Sequence, residues 1–435
     1  MGLRTIGITT LALLALAPAA HARGFAVVFG ERSYRPGQIA WLHVLGGPAS
    51  LYRATLLRAG AGADDRPTAG LALAPPRPIV HAAGSFEIPF SLGDFPSGVY
   101  FARVEAVGVG VRYAPLVLRP RRLGAAPVLV VVPTNTWQAY DFWGGDSWYL
   151  DAGVHVVDLR RPYTGNGLPP HFRGYDLGFL RWYAANGGPA DFVSDDDLER
   201  FVGGAQLRHL YRLVVFPGHE EYVTAHLYDL LDEFRARGGN IAFLSADNVF
   251  YAVERIGNDL VGRTRWRDLG RPEAALVGAQ YAGWDERTYA NRPYVVARPS
   301  WVFGGTTLRD GSRFGKYGIE IDEVTAASPP HTLVLARIPN EFGAGVDAEM
   351  TLYRMGASTV FDAGAMNFGG SADWPLVSRI VDNLWTHLSG EGVLAASYAG
   401  RMRNVPISRP YTRVRPTNPS AAGSSTSTNP WNGAR

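Results

Sequence analysis

The chain is 435 residues long, with 46% hydrophobic and 12% aromatic residues. That is enough apolar material for two or three cored domains, and it excludes disorder over most of the length. Cysteine is absent and Lys316 is the only lysine in a chain of formal charge +3, which excludes disulfides, thiolate sites and cysteine nucleophiles and offers no basic stripe for nucleic acid.

Residues 1–22 read as a signal peptide. Arg4 supplies the positive start, Ile6 to Leu16 the apolar stretch, and Ala20-His21-Ala22 a small-residue cleavage site. The apolar run is shorter than the ~20 residues of a membrane span, and no later segment is long and apolar enough. The expectation is cleavage near Ala22 and a periplasmic or secreted mature protein with no membrane span.

Residues 23–121 are all strand and turn. Phe25 to Phe29, Ile39 to Val44, Tyr52 to Leu57, Phe86 to Phe90, Val99 to Val107 and Tyr113 to Leu118 are short runs separated by Gly and Pro. That spacing predicts an antiparallel sandwich of immunoglobulin-like type. Arg119 to Ala126 reads as a linker.

From about 125 to 395 strands alternate with helices. Val128 to Val132 is apolar throughout, as in a strand buried on both faces. His155 to Leu159 reads as a second strand. Leu213 to Phe216 and Ile241 to Leu244 flank a helix capped by Thr224, with Leu227, Leu230, Leu231 and Phe234 on one face. This predicts an α/β domain with a doubly wound parallel sheet. Residues from about 265 to 340 lack helical period and read as a β-rich insertion. A last helix is expected with Asp373 as cap and Pro375 in its first turn. Beyond 403 the chain is rich in Pro, Ser, Thr and Asn and reads as a disordered tail.

Two segments carry chemistry on their own terms. Phe216-Pro-Gly-His-Glu-Glu-Tyr222 leaves the carboxyl end of a central strand, where open α/β sheets bind ligands. His219 and Glu221 could share one site while Glu220 points away; Glu220 and Glu221 also suit helix-dipole carboxylates. Pro133 to Gly145 reads as a loop at the same sheet edge, with Trp137, Phe142 and Trp143 as pocket walls or as cover for the edge. Tyr100, in Ser97-Gly-Val-Tyr100, reads by itself as sandwich packing. No G-x-S-x-G elbow, phosphate loop or H-E-x-x-H is present.

Together, Ser97-Gly-Val-Tyr100, Asn135-Thr-Trp-Gln-Ala-Tyr140 with Gly144-Gly145, and Gly218-His-Glu-Glu-Tyr222 resemble the large (beta) subunit of N,N-dimethylformamidase. Trp301 to Leu308 with Asp310-Gly311, and Ala348-Glu-Met running to Val360-Phe361, extend the likeness from about Phe25 to Leu388. The resemblance implies an amidotransferase-like sheet domain, without the Cys-His triad, and a hydrolase of formamides. It further implies one ferric ion held by two tyrosines and a glutamate, here Tyr100, Tyr140 and Glu221. His219 would then be acid and base, with Asn248 and Glu349 supporting the reaction. Ferric iron is a hard acid suited to phenolate and carboxylate. The implied partner is a small-molecule amide, with a small partner subunit or a homo-oligomer left open. The signal peptide and the lack of a long N-terminal region depart from the family. A non-catalytic surface or periplasmic protein binding glycan or peptide is the alternative, suggested by the sandwich and the aromatics.

Overall fold

Alternation builds the N-terminal part. In the strand Ile39–Gly47, Ala40, Leu42 and Val44 are buried while Ile39, Trp41 and Leu45 face outward, the period of a sheet with one solvated face. The computed structural model describes residues 25–390, except 64–66, 146, 150–152, 285–291 and 344. The expected signal peptide and C-terminal tail lie outside the described residues.

Ile39–Gly47 pairs antiparallel with Ala26–Phe29 and Gly84–Ser91. A second sheet runs in the order Ser33–Tyr34, Gly110–Leu118, Gly98–Ala106, Ser50–Arg58 and Leu71–Ala72, with Arg77–His81 also against Ser50–Arg58. The two sheets close on a shared core that includes Phe25, Leu42, Tyr52, Tyr100 and Val104. The strand Gly98–Ala106 is buried on both faces. Tyr100, Ala102 and Val104 point into the sandwich, whereas Val99 and Phe101 point out of it, and Phe101 meets Phe172 edge-on at 5.0 Å.

The remaining chain is mixed α/β around a nine-stranded sheet. Its parallel half runs Ala190–Ser194, Val128–Val132, Leu213–Phe216, Asn240–Phe243 and Ser358–Asp362. Ala348–Met355, Leu333–Ile338, Arg292–Val296 and Arg313–Tyr317 extend it antiparallel. The last three of these strands come from the 265–340 region, so much of that region continues the main sheet. The second expected strand forms as Val156–Asp158 but lies outside the main sheet. It joins a separate sheet with Asp259–Arg265, Tyr251–Ile256 and Tyr222–Thr224; only Val157 of its three residues is buried. The parallel neighbour is Ala190–Ser194, buried throughout.

Helices cover both faces of the parallel half. Leu177–Asn186 and Pro375–Ser389 pack on Val128, Val130, Val215 and Ala242. Gly204–Leu210 and Ala225–Ala236 pack on Leu129, Val131, Val214 and Ile241. Ala225–Ala236 starts as expected, the Thr224 side chain accepting from the Leu227 amide at 3.2 Å, and buries Leu227, Leu230, Leu231 and Phe234 for about 1.5–3 kcal/mol each. In Pro375–Ser389 the cap position belongs to Trp374 and no side chain caps the helix. Asp373 instead lies 3.6 Å from Arg181, and Pro375 in the first turn needs no amide partner.

The segment after Val128–Val132 is a helix, Thr134–Tyr140, where a loop was expected. Pro133 has no side chain with which to cap it. Asp195, at the end of the neighbouring strand, accepts from the Asn135 amide at 2.6 Å and the Thr134 hydroxyl at 3.0 Å and so satisfies the free N-terminal donors. Among the described residues no helix is long and apolar enough to cross a membrane.

Candidate active site

Two neighbouring parallel strands, Leu213–Phe216 and Asn240–Phe243, end in loops that are pinned together. The Glu220 carbonyl accepts from the Val249 amide at 2.7 Å, and the Asn248 side-chain oxygen accepts from the Glu220 amide at 3.4 Å. Gly218 is needed here, since a Cβ would stand 2.3 Å from the Asp176 carboxylate. In the second loop Asp247 and Val249 have φ of +54° and +60°. Such values are costly for any side chain and most of all for a β-branched one.

This arrangement buries His219, Glu220 and Glu221, each at 4% exposure or less. His219 and Glu221 face one side, as expected. Nε2 of His219 lies 3.6 Å from Glu221, 3.6 Å from Asp247 and 3.7 Å from Glu320 carboxylate oxygens. Glu320 arrives on the strand Glu320–Glu323, which pairs with Gln280–Trp284. Glu220 points away, toward Asp195, and burial followed by that neighbour pushes its carboxyl well up.

The electrostatics are those of crowded acids out of water. Burial first, then Glu221 and Asp322, pushes Asp247 well above the carboxylate range. Burial and Asp247 do the same to Glu320, with His219 opposing. Glu221 is raised by burial but held back by His219 and by the hydroxyls of Tyr140 and Tyr222. Tyr140 is itself pushed well above its ordinary value by burial, Glu221 and Glu320; its ring stands edge-on to His219 at 5.4 Å.

A cavity of about 300 Å³ opens over these groups. Trp148, Tyr149, Tyr222, Phe250, Tyr251, Tyr281 and Trp284 wall it, with Tyr140, Glu221, Asp247 and Glu320 among its polar lining. Arg263 lines it too, donating to the Trp148 carbonyl at 2.5 Å with its guanidinium 5.7 Å from the Trp148 and Tyr251 rings. The expected walls are corrected. Trp137 packs against Phe172 and donates to Asp176 at 3.3 Å, Phe142 is exposed, and neither it nor Trp143 lines the cavity. A smaller cavity, about 40 Å³, lies beside Arg32, Trp137, Tyr163 and Asp196; there Asp196 is already paired with Arg32 and Arg255.

Of the expected residues, Tyr140, His219 and Glu221 come together. Tyr100 does not. The two-residue period of its strand turns it into the sandwich, where its hydroxyl donates to the Pro96 carbonyl at 2.6 Å and burial raises it to about 12. Glu349 is likewise corrected: it accepts from the Val324 amide at 2.8 Å and pairs with Arg337 at 3.1 Å across the sheet. Asn248 lies behind Asp247, holding the Glu220 backbone, and does not line the cavity. Asp247, Glu320, Arg263 and most of the aromatic wall were missed. Asp247 was discoverable, because it follows a parallel strand at the ligand-binding edge; Glu320 carried no signal.

The tyrosine–tyrosine–glutamate centre therefore does not assemble from Tyr100, Tyr140 and Glu221. The groups that could hold a metal are His219, Asp247 and Glu320, whose donor atoms all lie within 4.8 Å of one another.

Comparison with known proteins places residues 82–382 in register with the family described as N,N-dimethylformamidase beta subunit-like, C-terminal. The chain is 26% identical over 309 residues to the N,N-dimethylformamidase beta subunit of Alcaligenes sp, covering 52% of this chain and 40% of that protein. It is 25% identical over 264 residues to the protein of the same name from Paracoccus aminophilus, covering 49% and 34%. The chain thus spans well under half the length of these relatives. Among solved structures, the superoxide reductase of Ignicoccus hospitalis aligns at 13% identity over 22% of this chain and 80% of its own, with a TM-score of 0.15, too low to carry an argument.

Proposed function

The chain belongs to the N,N-dimethylformamidase beta subunit-like family, and from that membership we propose an exported, metal-dependent hydrolase of a C–N amide bond of formamide type. The observation that carries the reading is the buried imidazole of His219 at 3.6–3.7 Å from three carboxylates beneath an aromatic cavity. Hydrolysis adds one water across the C–N bond and yields a carboxylic acid and an amine. The water must lose a proton and the departing nitrogen must gain one. His219 and Glu221 form the imidazole–carboxylate pair placed to move that proton. Tyr140 beside them orients the Glu221 carboxylate, and the aromatic wall keeps bulk water from the reacting bond.

Iron remains the metal we propose, on the strength of the resemblance. A ferric centre with Tyr100 as ligand does not fit this chain, because Tyr100 is buried in the sandwich core. The parallel sheet with helices on both faces supports an amidotransferase-like layer, and the paired N-terminal sheets support an immunoglobulin-like sandwich; neither supplies chemistry by itself. The relatives are named as subunits, and we propose that this chain too acts within an assembly, with copies of itself or a smaller chain. A glycan- or peptide-binding role would give the unpartnered carboxylates nothing to do.

The test is release of amine from a panel of formamides and small amides by the mature protein reconstituted with iron. Turnover lost in His219→Ala is the expected result; no turnover of any amide with any metal would overturn the proposal.

A further inference from the structure

We infer that Arg263 selects amides whose nitrogen substituent ends in a carboxylate, its guanidinium holding that group while the C–N bond lies at His219 and Glu221. The inference rests on the hydrolase reading above and gives it a substrate class. Among the described residues lining the cavity, Arg263 is the one cationic side chain. It reaches the cavity from the small sheet of Val156–Asp158, Asp259–Arg265, Tyr251–Ile256 and Tyr222–Thr224. The loops that carry His219 and Asp247 leave the main sheet instead.

The local backbone aims the side chain there. In the pairing of Asp259–Arg265 with Tyr251–Ile256, Ala252 faces Thr264 and Glu254 faces Val261, so Gly262 and Arg263 stand opposite Val253 alone. Such a bulge re-aims the side chains of its strand and is over-represented beside active sites. Gly262 takes the φ of +62° that the bulge requires, and its amide donates to the His155 carbonyl at 2.9 Å. A regular ladder would need neither the glycine nor the extra residue.

The half-buried guanidinium is then held beside a row of rings. Its Nη1 donates to the Trp148 carbonyl at 2.5 Å, and its central carbon lies 5.7 Å from both the Trp148 and the Tyr251 ring centres. Tyr222 joins those two rings, 5.2 Å from Trp148 and stacked on Tyr251 at 5.5 Å. A guanidinium offers only donors, in a fixed fork that fits both oxygens of a carboxylate. Anchored to backbone and rings, it loses little freedom when such a group binds. The ring faces suit a planar body between carboxylate and amide, and about 300 Å³ leaves room for one. An aminobenzoate formylated on its nitrogen has all three parts.

A pair of twin substrates tests this: N-formyl-para-aminobenzoate and its neutral counterpart N-formyl-para-aminobenzamide, given to the mature protein reconstituted with iron. We expect a KM for the carboxylate about tenfold or more below that for the carboxamide. Arg263→Gln should bring the two KM values together. Arg263→Lys, which keeps the charge but not the fork, should restore part of the gap. Calorimetry with the amine products, para-aminobenzoate and para-aminobenzamide, reads the same preference without turnover, and melting curves of the variants confirm folding. The inference falls if the parent binds neither product or treats the twins alike, or if Arg263→Gln leaves the gap intact. It also falls if Arg263→Gln only lowers kcat, and equally for both twins, since the arginine would then serve the Glu221 carboxylate, whose charge it favours. Aminobenzoate binding that depends on Arg263, in a protein that cleaves no amide, would instead refute the hydrolase reading and leave the anion site standing.

Discussion

Oδ2 of Asp247 stands 3.6 Å from Nε2 of His219, although the two residues lie on loops that follow different strands of the parallel sheet. Adjacent parallel strands deliver their loops to one edge. Hydrogen bonds between the two loops, from the Val249 amide to Glu220 and from the Tyr251 amide to Glu221, fix the side chains that those loops carry. The site is thus a property of the sheet, tuned by two short loops.

The cluster strains the metal-free protein, which gives a prediction of sign. Asp247→Asn removes one of three crowded carboxylates and should raise the stability of the stripped protein by about 0.5–2 kcal/mol. Asp247→Gly should do at least as well, since glycine accepts the φ of +54° without strain. Thermal melts of the chelator-treated parent and variants measure it.

Glu221→Gln separates chemistry from assembly. The amide keeps the shape and a hydrogen-bond acceptor for Tyr140 and Tyr222 but cannot take a proton. Amide turnover should drop by about 10²–10⁴-fold with little change in melting temperature. Steady-state rates on the best formamide substrate check it, and an equal loss of stability would show that Glu221 matters for folding instead.

Tyr100→Phe is the matching control. It deletes the bond to the Pro96 carbonyl at a cost of about 1 kcal/mol and should leave kcat and KM unchanged. Denaturant unfolding and a rate assay on the same sample decide.

His171 gives a pH prediction. It has φ of +56° and stacks on Tyr175 at a centroid distance of 5.0 Å, and burial, then His219, lowers it to about 4. The unfolded chain protonates this imidazole near its ordinary value of ~6.5, so between there and about 4 the unfolded state binds more protons. Stability contributed by the neutral ring is complete above that window and is lost as pH falls through it. The imidazole resonances of His171 should stay neutral at pH near 5 when followed by NMR. His171→Phe should flatten the stability–pH slope over the same range.

Much of the frame was legible because it depends on local pattern. The run Val128 to Val132 is apolar at every position because both faces are covered, and Ala225–Ala236 shows its cap and its stripe within twelve residues. The helix Thr134–Tyr140 was not legible, since its capping carboxylate, Asp195, is 60 residues away. The site divided along the same line. His219 and Glu221 stand together in sequence beside a strand end. Glu320 reaches them only through the pairing of Glu320–Glu323 with Gln280–Trp284, a contact with no local signature. Tyr100 carried a motif but sits one residue off the face that looks toward the α/β layer; Phe101 occupies that face.

The same pairing gives the last prediction. Tyr281 and Trp284 wall the cavity from the strand opposite Glu320, and Trp284 is 52% exposed, so it stands at the rim and touches the outer part of a bound molecule. A cavity of about 300 Å³ is far roomier than a formamide with two methyl groups needs, so the rim matters only for larger nitrogen substituents. Trp284→Ala should raise KM several-fold for amides with bulky or aromatic substituents and leave kcat near its parent value, because it removes binding that ground state and transition state share. For the smallest formamides neither constant should move. A fall in kcat that is equal for small and large substrates would mean that Trp284 acts by holding Glu320 in place, a result that kinetics on two substrates of different size would reveal at once.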